Sequence, residues 1–205
     1  MSDQILEQLF DSPIKVRLLK LFLRNDMDMF SIAEVSSRIQ ARQRIVKKEI
    51  EGLVKIGFLQ KKRIRRNKGS KKSAIPSKKT GIYFSVNPQF DFYNELRTLI
   101  LKSSPASLEK INKYLKRLGR VKLAILAGVF TNDENSRLDL FIVGDAINSR
   151  RLHNFLKNLE AEVGKSIDYS VLTTDDFGYR FGMFDRFILD ILEKPHKKLI
   201  NKLRI

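Results

Sequence analysis

Between residues 61 and 79 the chain carries ten Lys or Arg and no acidic residue. A run this basic repels itself, so the way it is held constrains everything around it. Its flanks supply the hold. Phe58 and Leu59 lead into Gln60-Lys61-Lys62-Arg63-Ile64-Arg65-Arg66, and Thr80-Gly81-Ile82-Tyr83-Phe84-Ser85-Val86 leads back out. Apolar and aromatic residues on both sides predict a two-stranded ribbon. The segment between them, 67–79, mixes five lysines with Gly69, Ser70, Ser73, Pro76 and Ser77, and is expected to be an irregular loop. A disordered basic insertion has the same composition and is the competing reading.

The residues ahead of the ribbon read as helices. Ser2 is expected to cap a short helix over 2–10 with Ile5, Leu6 and Leu9 turned inward. Ser12-Pro13 opens a second, with proline where its missing N–H costs nothing, and Val16, Leu18, Leu19, Leu21, Phe22 and Leu23 make it the buried helix. Ser31 caps a third, in which Ile32, Val35 and Ile39 recur at helical spacing. A fourth is expected over about 41–56, with Val46, Ile50, Leu53 and Val54 on one face and Gly57 as its stop. Rotation of 100° per residue sends Arg44 and Lys48 to the opposite face, puts Arg42 and Gln43 on the first turn, and leaves Lys47 at the flank.

Helix, helix, strand, basic loop, strand is the order of a winged helix-turn-helix, and residues 1–88 resemble that family. The resemblance implies duplex DNA as the partner. Arg42, Gln43, Arg44, Lys47 and Lys48 would then lie on the recognition helix, and Lys61, Lys62, Arg63, Arg65, Arg66, Lys68, Lys71 and Lys72 in the wing. An α-helix enters the major groove, where arginine can bond guanine bidentately. A merely solvated helix face remains the plainer reading, and RNA would neutralise the basic loop equally well.

Charge distribution agrees with that division. The 205 residues carry 40 Lys and Arg against 23 Asp and Glu, a formal +17. Residues 1–88 hold 20 basic and 8 acidic residues, and residues 89–205 hold 20 and 15. A polyanion gains affinity from counterion release where cations are dense, so it should meet the first half. There is no cysteine, which excludes disulfides and thiolate metal sites. His153 and His196 are isolated, no cofactor is expected, and neither a signal peptide nor a membrane span is evident. A cytoplasmic protein is the expectation.

Residues 89–119 are expected to form a helical connector. Phe92, Leu96, Leu99 and Ile100 make one apolar stripe, Leu108, Ile111, Leu115 and Leu118 another, and Ser103-Ser104-Pro105 separates them. Such a stripe also suits a homodimer interface. Beyond Gly119 the pattern turns to strands at 121–127, 138–143 and 166–172, with a helix over about 148–163 stopped by Gly164 and a helical stretch over 179–203 interrupted by Pro195. The fold class is therefore α+β, with a small α/β domain over 120–205.

Within it, Leu126-Ala-Gly-Val-Phe and Arg137-Leu-Asp-Leu-Phe-Ile-Val-Gly resemble the minimal nucleotidyltransferases of the polymerase-beta superfamily. That family has Gly-Ser after its first strand, Asp-x-Asp opening the second and a third carboxylate on a later strand, and its carboxylates hold two Mg²⁺ ions. Here Gly128 is kept, Val129 replaces the serine, Arg137 replaces the first carboxylate, and Asp139 and Asp168 occupy the other two positions. The resemblance thus implies the shape of the family with an inactive site, no bound metal, and a sensing or oligomerising role. Arg137 is expected to pair with Asp139, while Asp133 and Glu134 are loop acids nearby. An active nucleotidyltransferase and an RNA-binding adaptor are the alternatives to a DNA-binding regulator.

Overall fold

The computed structural model describes residues 2–67, 78–102, 106–133 and 135–205, with side chains at all of these except 2–4, 65–67 and 78–80. The fold is mixed α+β and divides into two compact units at residues 103–104. The stretch expected as a connector is shared between them: its first helix belongs to the first unit and its second to the other.

The first unit runs α1 (Ser2–Leu9), α2 (Pro13–Arg24), α3 (Ile32–Ile39), α4 (Gln43–Lys55), β1 (Leu59–Asn67), β2 (Lys78–Val86) and α5 (Tyr93–Lys102). Ser12 accepts the Lys15 N–H at 3.1 Å, and Pro13 follows it at the first helical position, so α2 starts where its sequence directs. Val16, Leu18, Leu19, Leu21, Phe22 and Leu23 are buried, which makes α2 the centre of this core. A capping box opens α3: Glu34 N–H donates to Ser31 Oγ, and Ser31 N–H donates to Glu34 Oε2. Gln40 then takes a left-handed φ of 52°, and only Gln40, Ala41 and Arg42 separate α3 from α4.

Gly57 stops α4 as expected. Its φ is 84°, its N–H bonds Val54 O, and the Phe58 N–H bonds Leu53 O. That pair of bonds closes a helix only around a left-handed residue, which favours glycine. The chain then enters an antiparallel ribbon paired from Leu59↔Val86 to Asn67↔Lys78. Both strands are longer than expected, so Lys78 and Lys79 belong to β2. Phe30 adds a one-residue bridge to Phe84, with bonds of 2.9 and 2.8 Å, and its ring meets Phe22 edge-on.

Two expectations for this unit need correction. Ile5 and Leu9 are exposed, and among the described side chains of α1 only Leu6 is buried in the core, because so short a helix meets it along one row. On α5 the inward row is Tyr93, Leu96 and Ile100 rather than one containing Phe92 and Leu99, which are 63% and 42% exposed. Phe92, just before α5, and Leu99 on it lie about 70° and 90° of helical rotation from the centre of that row. The Tyr93 hydroxyl donates to Asp26 Oδ2 at 3.1 Å, and burial first, then that bond, holds it above its ordinary pKa.

The second unit runs α6 (Leu108–Leu115), β3 (Arg120–Leu126), a 3₁₀ turn at Gly128–Phe130, β4 (Leu140–Asp145), α7 (Ser149–Val163), β5 (Tyr169–Leu172), α8 (Thr174–Gly182), α9 (Arg186–Glu193) and β6 (Lys197–Asn201). Its sheet has the order β5-β4-β3-β6, with β4 and β5 parallel and the other pairs antiparallel. Alternation along the strands builds two cores. Ala124, Leu126, Leu140 and Ile142 pack with α6 and α7, while Leu123, Ile125, Phe141 and Val143 pack with α8 and α9. Burial on both faces explains why β3 and β4 read as continuous apolar runs.

The tail differs from the expected helix. After α9 ends, Pro195 blocks its continuation, and Lys197–Asn201 pairs along the edge of β3. Among the described residues no helix is long and apolar enough to cross a membrane.

Candidate functional site

On α4 the side chains of Val46, Ile50 and Leu53 are buried, and Val54 is half-buried against the same core. Arg42, Gln43, Arg44, Lys47 and Lys48 are all exposed. The helix therefore turns one apolar row inward and, through its 100° rotation, Arg44 and Lys48 outward. Arg42 is the N-cap and supplies no side-chain acceptor. Lys47 lies 3.9 Å from Glu51 one turn on, a pairing of two exposed groups that contributes little. Ile45, absent from the expected set, is 42% exposed beside Arg44. No sequence pattern distinguishes it from a core isoleucine except its distance around the helix from Val46 and Ile50.

Beyond α4 the ribbon carries Lys61, Lys62 and Arg63, all exposed and set opposite Phe84, Tyr83 and Ile82. Successive residues of a strand point to opposite faces, so both faces of the ribbon bear cations. Arg65 and Arg66 continue β1 opposite Thr80 and Lys79. Lys68, Lys71 and Lys72 lie outside the described residues.

In the second unit Gly128 follows β3, Asp139 precedes β4 and Asp168 precedes β5, so strand order brings these three to one end of the sheet. Asp139 is 6% exposed and both its oxygens are engaged. Oδ1 accepts the Val129 N–H at 2.7 Å, and Oδ2 accepts the Asp168 N–H at 3.0 Å. Its own N–H donates to Asp168 O at 2.7 Å, and its carbonyl accepts the Ala127 N–H at 2.9 Å. Asp139 is thus a joint between three strands. Gly128, with φ of 50°, permits it: a Cβ there would collide with Asp139 Oδ1. Val129 packs its half-buried side chain on the α6–α7 core.

Arg137 does not pair with Asp139. Its Nε lies 2.9 Å from Asp190 Oδ2 on α9, because both Asp139 oxygens are taken by backbone donors. Lys194 joins Asp190 at 3.3 Å and donates to Asn135 O at 2.8 Å, which ties Asn135 to the end of α9. Asp133 Oδ1 accepts the Asn135 N–H at 3.0 Å in a turn, and Glu134 lies outside the described residues. Asp168 is exposed. His153 is exposed on α7, and His196 Nδ1 bonds Lys194 O at 2.8 Å. Among the described residues no group of three or more His, Cys, Asp or Glu is gathered as metal ligands.

A second carboxylate in this unit ties elements together. Asp145 accepts the N–H and the hydroxyl of Thr174 at 3.1 and 2.9 Å, with Lys122 at 3.4 Å. The Thr174 N–H first, then its hydroxyl and Lys122, hold this carboxyl below its ordinary pKa.

Comparison with protein-family models, with curated proteins and with solved structures finds no match to this chain.

Proposed function

We propose that this chain is a DNA-binding transcriptional regulator. In this reading the first unit is a winged helix-turn-helix, and the second is a nucleotidyltransferase-like domain that performs no transfer. The observation that carries the reading is α4, with Val46, Ile50 and Leu53 buried and Arg42, Arg44, Lys47 and Lys48 exposed. A three-residue turn joins it to α3, and a cationic ribbon follows it directly. Such a helix enters the major groove of B-form DNA while the ribbon follows the phosphates. Arg44 and Lys48 reach base edges, Ile45 offers an apolar contact of the kind a thymine methyl takes, and Lys47, Lys61, Lys62 and Arg63 meet the backbone.

Two features favour an inactive second unit. Mg²⁺ is bound through anionic oxygens in near-octahedral geometry. Asp139 commits its oxygens to backbone N–H groups, and Arg137, a permanent cation, occupies the position of the first carboxylate. The order β3, turn, β4, α7, β5 supports the nucleotidyltransferase-like shape.

The test begins with selection of a preferred duplex from a random library. Arg44→Ala should then weaken binding to that duplex by about 1–3 kcal/mol and to random DNA by less. Equal losses on both would remove Arg44 from base reading, and failure to enrich any sequence would remove the regulator reading altogether.

A further inference from the structure

Helix α8 ends in a way that inverts local preference. The Phe184 N–H bonds Phe181 O at 3.1 Å and the Asp185 N–H bonds Arg180 O at 3.0 Å, the same closing pair found around Gly57. The left-handed position between those bonds is Phe184, with φ of 54°. A phenylalanine there is strained, since its Cβ crowds the backbone. Its ring is 77% exposed, so burial within the chain does not offset the strain. Gly178 and Gly182 present the converse: both lie in α8, and a Cβ added at either would meet nothing within 4 Å. Glycine in an open helical position weakens the helix relative to alanine. Glycine thus stands twice where alanine fits, and phenylalanine stands where glycine fits. Local rules broken together without compensation mark a functional surface.

The surrounding side chains are apolar. Tyr179 is 71% exposed, Met183 66% and Phe181 39%. Helical rotation places Gly178 and Gly182 as a floor between Phe181 on one side and Tyr179 and Met183 on the other. The Phe181 ring stacks on Phe177 at 5.6 Å, and Phe177 meets Phe141 of the sheet at 6.1 Å, so the floor's edge is anchored in the core. With about 200 Å² for each large side chain, the four exposed groups present about 500 Å² of apolar surface. That matches the apolar share, roughly six-tenths, of the ~800 Å² each partner contributes to a standard interface.

We propose that this surface joins two copies of the chain, α8 of one against α8 of the other about a two-fold axis. Charge favours a second copy over a polyanion. Residues 174–186 contain Asp175, Asp176 and Asp185 against Arg180 and Arg186, a slight acidic excess on a chain of net +17. Arg180 and Asp185 pair within one copy at 3.8 Å, and Asp175 or Asp176 of one copy can meet Arg186 of the other across a two-fold contact. Salt screens the remaining repulsion between copies, so the dimer should tighten as salt rises, opposite to nucleic-acid binding. The proposal does not depend on the DNA-binding reading.

Sedimentation equilibrium of the full chain tests it, at low and high salt, with Gly178→Glu and Phe184→Gly alongside the wild type. Glu fills open space and favours the helix, and Gly relieves the left-handed strain, so neither should lower the melting temperature at dilutions where the wild type is monomeric. The expected result is a wild-type dimer, tighter at high salt, that each variant weakens more than about tenfold. A wild type that stays monomeric, whether or not the patch serves another protein, overturns the proposal. So does a dimer that both variants leave intact. Loss of helical signal in both variants also overturns it, because these positions would then be internal to the fold.

Discussion

Replacing Asp139 by Asn or Ala should destabilise the second unit's sheet at the point where three strands meet. The carboxylate is buried and accepts two backbone N–H groups, from Val129 at 2.7 Å and Asp168 at 3.0 Å. A hydrogen bond to a charged acceptor contributes about 1.5–3 kcal/mol, and a buried donor left without a partner costs about 1–3 kcal/mol. Asparagine keeps one acceptor but aims an amide donor at the other N–H, so Asp139→Asn should cost about 2–3 kcal/mol. Asp139→Ala orphans both donors and should cost about 3–5 kcal/mol. For a unit of roughly a hundred residues, the Asn variant should melt about 10–20 °C lower. Gly128→Ala should act on the same joint, because its Cβ collides with Asp139 Oδ1 and pushes the carboxylate off its donors. The double variant Gly128→Ala/Asp139→Ala should therefore lose less than the two singles together, with a coupling of about 1–3 kcal/mol. Urea unfolding followed by circular dichroism on the full chain reads all four quantities. If Asp139→Asn lies within about 0.5 kcal/mol of the wild type, the joint is held by something else and the carboxylate is free for a ligand.

Three further outcomes follow from the same geometry. Replacing Lys61, Lys62 and Arg63 by glutamine should flatten the salt dependence of duplex binding by roughly one unit of slope for each phosphate no longer neutralised; an unchanged slope would lift the ribbon off the backbone. Calorimetry with Mg²⁺ and each nucleoside triphosphate, followed by a labelling assay, should show weak or no binding and no transfer. Label transferred by the wild type would make this unit an enzyme, while metal binding by Val129→Ser/Arg137→Asp would place a potential metal site beside Asp139. Asp145 should couple stability to acid: its folded pKa lies below the ordinary 3.8, so its contribution is complete above that value and is lost as pH falls through the depressed one. The stability gap between wild type and Asp145→Asn should accordingly close in acid, and a gap constant with pH would assign it to packing instead.

What the sequence revealed depended on how local each determinant was. The inward row of α4 and its stop at Gly57 were legible because a 3.6-residue period and a left-handed cap are written in adjacent residues. The Phe30–Phe84 bridge was not, since a single paired residue has no period. Phe92 and Leu99 misled because a helix with apolar residues on two rows does not say which row meets the core. Pro195 marks an interruption legible in the sequence, but the strand after it exists only because β3 offers an unpaired edge. Arg137 shows the same limit at the candidate site. Proximity in sequence suggested Asp139, yet backbone donors from distant turns had already claimed that carboxylate, and Asp190 arrives from a helix far along the chain.

The central claim is that α4 reads B-form DNA through its major groove. Fluorescence anisotropy of the full chain on a DNA duplex and on an RNA duplex of the same sequence, titrated with salt, tests it most directly. The A-form major groove of RNA is too deep and narrow for side chains to read. DNA should bind more tightly at every salt concentration, and an Arg42/Arg44/Lys48→Ala variant should remove most of that preference. Equal binding to the two duplexes, or a DNA preference that survives the triple variant, would contradict the claim.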